Sequence, residues 1–82
     1  MSQSKLADIR ARLGVLNTLI APQGIEVLHG RRYGYNALDL YHKNGAEIDT
    51  LSSGMTRAAC YDWINAAIQG IDLYTYKTPI QR

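Results

Sequence analysis

The densest concentration of groups able to bind something is Arg31-Arg32-Tyr33-Gly34-Tyr35, preceded by His29-Gly30. Guanidinium forks suit phosphates and carboxylates, and tyrosine adds a stacking face and a hydroxyl. The competing reading is a solvated hairpin tip, because loops are usually polar and exposed. A second group, Ser52-Ser53-Gly54-Met55-Thr56-Arg57, places hydroxyls and a cation where a helix begins. Free amides and the macrodipole make such a terminus attractive to anions, and a cation in the first turn opposes that dipole unless an anion or acidic side chain is near. The segment lacks the Gly-Lys-Ser/Thr ending of a phosphate-binding P-loop, and ordinary capping by Thr56 is the simpler account. Arg31, Arg32, Tyr33, Tyr35, Ser53, Thr56 and Arg57 make up the candidate ligand-binding set.

Catalytic and metal chemistry find little support. Asp39, Glu47 and Asp49 could offer oxygens to a hard cation, but carboxylates on an open sheet lack the enclosing loop such sites use. Arginines, from this chain or a second copy, are their more natural partners. The single cysteine, Cys60, excludes an internal disulfide and fits a reducing compartment. It falls on an apolar stripe, so a buried structural thiol is expected. His29 and His42 lie on different strands, and neither has an acid, a nucleophile or a metal-ligand spacing attached. The expectation is a non-enzymatic protein with no metal and no cofactor.

The elements that must position these residues follow from periodicity. Leu6, Ile9, Leu13, Leu16 and Ile20 recur at three- and four-residue steps, which predicts an amphipathic helix capped by Ser2 or Ser4. Ala21-Pro22-Gln23-Gly24 stops it. Ile25 to His29 reads as a first strand, Gly30 to Gly34 as a loop, Tyr35 to His42 as a second strand and Ala46 to Leu51 as a third. Thr56 caps a helix running to Gln69, with Met55 stapling onto Cys60 and Gly70 as the terminating glycine. Cys60, Trp63, Ile64, Ala67, Ile68 and Ile71 form its apolar stripe. Leu73 to Thr78 has strong β propensity, so residues 72–82 are expected as an edge strand, an arm exchanged with a second copy, or a flexible tail.

The register of the second hairpin is argued from parity. A two-residue Asn44-Gly45 turn would leave both sheet faces mixed. A three-residue loop, Lys43-Asn44-Gly45, with Gly45 left-handed, pairs His42 with Ala46, Leu40 with Ile48 and Leu38 with Thr50, and makes one face apolar. Tyr35, Asp39, Tyr41, Glu47 and Asp49, with Glu26, then share the other face. Asp39 would sit opposite Asp49, a like-charge pair that something must compensate.

Composition bounds the function. Eighty-two residues, 46% apolar and 20% charged, fit one α+β domain over residues 1–82, with the order α-β-β-β-α and a three-stranded antiparallel sheet flanked by two helices. So small a chain buries a modest share of its surface, which favours a homo-oligomer. Nine Lys and Arg against seven Asp and Glu give a net charge of +2, far below the basic balance of most nucleic-acid-binding domains. Val15 to Ala21 is too short for a membrane span, and Met1 to Arg12 lacks the apolar core of a signal peptide. A cytoplasmic location is expected.

The element order, with Gly54-Met55-Thr56-Arg57-Ala58-Ala59 opening the last helix, resembles a double-stranded-RNA-binding domain, whose second helix begins after a glycine with a basic run. Here Arg57 stands where that family has a lysine pair. Arg32-Tyr33-Gly34-Tyr35 to Asp39-Leu40, Asn44-Gly45, Leu51 to Arg57 and Gly70-Ile71-Asp72-Leu73 are similar to small bacteriophage and prophage proteins over about residues 24–73. That resemblance implies an accessory protein, host cytoplasm as its location, and a role in binding host machinery or sequestering nucleotide signals of host immunity. The residues and the resemblance leave three expectations: a binder of a phosphate-bearing small molecule or an acidic host protein surface, a nucleic-acid binder, or a self-associating interaction module.

Overall fold

The computed structural model describes residues 6–77, with side chains through Ile71. The chain is α+β in the order α1 (Leu6–Ile20), a short 3-10 turn (Ala21–Gln23), β1 (Ile25–Arg32), β2 (Tyr35–His42), β3 (Glu47–Met55) and α2 (Arg57–Lys77). The strands form one antiparallel sheet in sequence order. Proline within Ala21–Gln23 and left-handed Gly24 (φ 77°) end the first helical segment, and the Gly24 N–H donates to the Ala21 carbonyl. The expected caps Ser2 and Ser4 lie outside the described residues.

Both helices lie on one side of the sheet. Ile9, Leu13 and Leu16 of α1 and Cys60, Ile64 and Ile68 of α2 meet Val27, Leu38 and Met55 in a single buried cluster. Val27 and Leu38 share a face with Asn36 and His29 by the β1–β2 register. The other face, with Glu26, Leu28, Gly30 and Arg32 from β1 and Tyr35, Ala37, Asp39 and Tyr41 from β2, has no helix on it among the described residues.

Four expectations change. β1 continues through Arg32, so Gly30–Gly34 is not a loop; the turn is only Tyr33-Gly34. β3 runs to Met55, which places Ser52, Ser53 and Gly54 in a strand. The three-residue loop holds: His42 N–H donates to the Ala46 carbonyl, Gly45 N–H to the His42 carbonyl, and Gly45 has φ 98°. Beyond it the register slips, pairing Leu40 with Asp49, Asp39 with Thr50 and Leu38 with Ser52 rather than Leu40 with Ile48, Asp39 with Asp49 and Leu38 with Thr50. Each irregularity adds a residue to β3, so parity counted from the loop fails after one pair. Ile48, expected inside, is 41% exposed as a result.

The fourth change is at the C-terminus. The backbone of α2 passes through Gly70 without a left-handed residue and continues to Lys77, so no edge strand begins at Leu73. A helix already nucleated adds residues at little cost, and one glycine costs only about 1 kcal/mol. Residues 78–82 of the expected tail lie outside the described residues.

The sheet edges are guarded differently. On β1 the Asn17 side chain imitates a neighbouring strand, accepting from Val27 N–H at 2.7 Å and donating to the Val27 carbonyl at 2.9 Å. On β3 the irregular register itself disrupts the ladder that another chain would need.

Candidate functional site

The β1–β2 hairpin closes through a two-residue turn in which Tyr33 (φ 55°) and Gly34 (φ 81°) are both left-handed. Positive φ at both central positions is the type I′ geometry, whose twist matches the flanking strands and which favours Asn-Gly. Tyrosine occupies the first position instead, and its ring is 98% exposed. Arg31 stiffens the tip by donating from Nη2 to the Gly34 carbonyl at 2.6 Å.

Neighbouring residues of a strand point to opposite faces, which divides the arginine pair. Arg31 is on the helix-bearing side. Arg32 and Tyr35 are on the open side. To reach Asp39 at 2.6 Å, Arg32 must pass over the cross-strand pair Gly30–Ala37, whose small side chains leave a trough along the face. Its stem explains why Ala37 is 1% exposed on a face without a helix. Asp39 is 5% exposed, and its second oxygen accepts from the Thr50 hydroxyl at 2.9 Å. The slipped register therefore replaces the expected Asp39–Asp49 opposition with a hydrogen bond, and Arg32 supplies the compensating charge.

On the helix side a polar chain crosses all three strands. Asn36, 3% exposed, donates from Nδ2 to the Met55 carbonyl at 3.0 Å, and its Oδ1 lies 2.8 Å from His29 Nε2. A carbonyl can only accept, so the amide must face Met55, and His29 must then carry its proton on Nε2. This chain fixes the end of β3 immediately before α2.

At that junction Thr56 is the N-cap, its Oγ1 accepting from Ala59 N–H at 3.1 Å. Met55 and Cys60 are both in the core, as the staple requires. Arg57 is exposed in the first helical turn. Cys60 is fully buried, and burial pushes its thiol above the ordinary value, the opposite of what a nucleophile needs.

The seven candidate residues thus gather at one end of the sheet without forming one pocket. Asn36 pairs with both Arg31 and Met55, so the hairpin tip and the start of α2 lie on the same end, two strand spacings apart. Arg32 is occupied by Asp39, Thr56 by the cap, and Ser53 lies within β3. The groups that remain outward are Arg31, Tyr33, Tyr35 and Arg57. Among the described residues no three His, Cys, Asp or Glu side chains gather as metal donors, and no helix is long and apolar enough to cross a membrane. Asn17 and Asn36, which hold the site in place, were missed by the sequence reading. The only signal was a polar residue interrupting an apolar run in the first case and opening a strand in the second. Comparison with protein-family models, curated proteins and solved structures returns no match to this chain.

Proposed function

We propose that the protein is a non-enzymatic binding module whose contact element is the β1–β2 hairpin tip and whose partner is an acidic protein surface. The observation carrying this reading is Tyr33: a bare aromatic ring at a left-handed position where asparagine would serve the fold better. Strained residues persist where something other than stability requires them. Exposed tyrosine with arginine beside it is also the composition of contact hot spots. The divergence of Arg31 and Arg32 argues for a broad surface rather than a small phosphate-bearing ligand, since a convex tip does not enclose a molecule. Carboxylates of Glu26, Asp39 and Glu47 on the open face disfavour nucleic acid, whose phosphates they would repel. An accessory role of the bacteriophage kind, in which the tip occupies host machinery, agrees with this reading.

The test compares wild type, Tyr33→Asn and Arg31→Ala as baits in quantitative capture from cell lysate, alongside thermal shifts with a nucleotide panel and titration with an RNA duplex. The expected result is a protein retained by wild type and depleted at least tenfold with either variant, no nucleotide-induced shift, and no salt-sensitive RNA affinity. A nucleotide shift that Arg31→Ala removes would overturn the choice of partner. Equal capture by all three baits would overturn the tip as the contact.

A further inference from the structure

The helix-free side of the sheet is the largest face the fold leaves without a covering element. It carries Leu28, 42% exposed, and Tyr35, 53% exposed, beside the already dehydrated Asp39 and its Arg32 partner. Charge is segregated along the strands. Arg31, Arg32 and Arg57 lie at the end where β1 turns into β2 and α2 begins. Glu26, Glu47 and Asp49 lie toward the end where β2 turns into β3, with Lys43 beside them.

We propose that a second copy of the chain docks on this face, sheet upon sheet, about a two-fold axis that lies in the interface and runs across the strands. Only an axis in that direction inverts the strands and lays the arginine end of one copy over the carboxylate end of the other. An axis along the strands would superpose like charges. The arrangement sets Leu28 and Tyr35 of both copies in the covered area and brings Glu26 and Glu47 of each copy toward the exposed side of an Arg32 guanidinium, which is 45% accessible in the monomer.

Three strands about 4.8 Å apart and eight residues rising about 3.3 Å each give a footprint of roughly 370 Å² before side-chain relief. That is below the roughly 800 Å² per partner of standard interfaces, so the dimer is weak and governed by concentration. Its hairpin tips point from opposite ends, leaving Tyr33 outside the interface. The proposal is therefore independent of the reading of the tip.

Sedimentation equilibrium from about 10 µM to about 1 mM tests it. Wild type is expected to shift from monomer to dimer across that range and back toward monomer in about 1 M salt. Leu28→Glu, at an exposed position, is expected to remain monomeric with an unchanged circular dichroism spectrum, and Glu47→Arg to weaken association at least tenfold. Val15→Glu, on the outer surface of α1, is expected to leave the dimer intact. A wild type that stays monomeric throughout would overturn the proposal. So would a dimer that survives both Leu28→Glu and Glu47→Arg, or one dissolved by Val15→Glu.

Discussion

Arg32 and Asp39 form an ion pair whose members are unequally placed: the arginine side chain is 45% exposed and the carboxylate 7%. The two truncations should therefore differ. Asp39→Ala frees a guanidinium that water can reach, at a cost of about 1–2 kcal/mol, while Arg32→Ala strands a buried carboxylate on one hydroxyl and should cost about 3 kcal/mol. Urea unfolding of both variants checks the order; equal losses would mean that Asp39 is better hydrated than its burial indicates. Cys60 gives a pH signature. Because burial raises its thiol above the ordinary 9.0, the folded chain keeps a proton that the unfolded chain releases. This contribution to stability is intact below that value and is lost as pH rises through it and toward the folded value. Wild type should therefore lose more stability than Cys60→Ala between neutrality and about pH 10, measured as parallel urea midpoints. At this scale the sequence was a fair guide to what arginine and cysteine would do, and a poor one to Asn17 and Asn36. Their roles depend on which backbone groups lie across from them, and one-dimensional spacing contains no such information.

Glycines separate the elements that need a left-handed residue from those that only tolerate one. Gly34 (φ 81°) and Gly45 (φ 98°) close the two hairpins, so alanine at either should cost about 1 kcal/mol or more. Gly70 lies inside α2 with no positive φ and nothing within 4 Å of an added Cβ. Gly70→Ala should therefore stabilise by about 0.5–1 kcal/mol. Thermal midpoints of the three variants test the contrast, and a destabilised Gly70→Ala would indicate that α2 ends there after all. Thr56→Ala should lower stability by about 1 kcal/mol through loss of the cap bond to Ala59. The same positions show where local signals suffice. The cap at Thr56 and the Gly45 loop are decided within a few residues, and both were legible. The continuation of α2 past Gly70, the length of β3 and its slipped register are decided by cooperative extension and by packing on β2. Propensity at Leu73–Tyr76 and parity counted from Gly45 do not reach those forces.

Across the whole molecule, the order of elements and the apolar face of the sheet were readable because each helix and strand has one greasy side and the chain has only one way to bring those sides together. The candidate site was readable as a region rather than as a pocket. Its residues do collect at one end of the sheet, but strand alternation sends Arg31 and Arg32 to opposite faces once β1 extends to Arg32. What remains at that end is a stiff tip bearing a tyrosine the fold has no use for, and the functional reading depends on that last point. Equilibrium urea unfolding of Tyr33→Asn tests it without knowledge of any partner. The account expects an unchanged m-value and a stability raised by about 1 kcal/mol, since asparagine accepts the left-handed turn more readily than tyrosine. A variant less stable than wild type would show that the ring supports the hairpin, and the tip would lose its claim to be a contact surface.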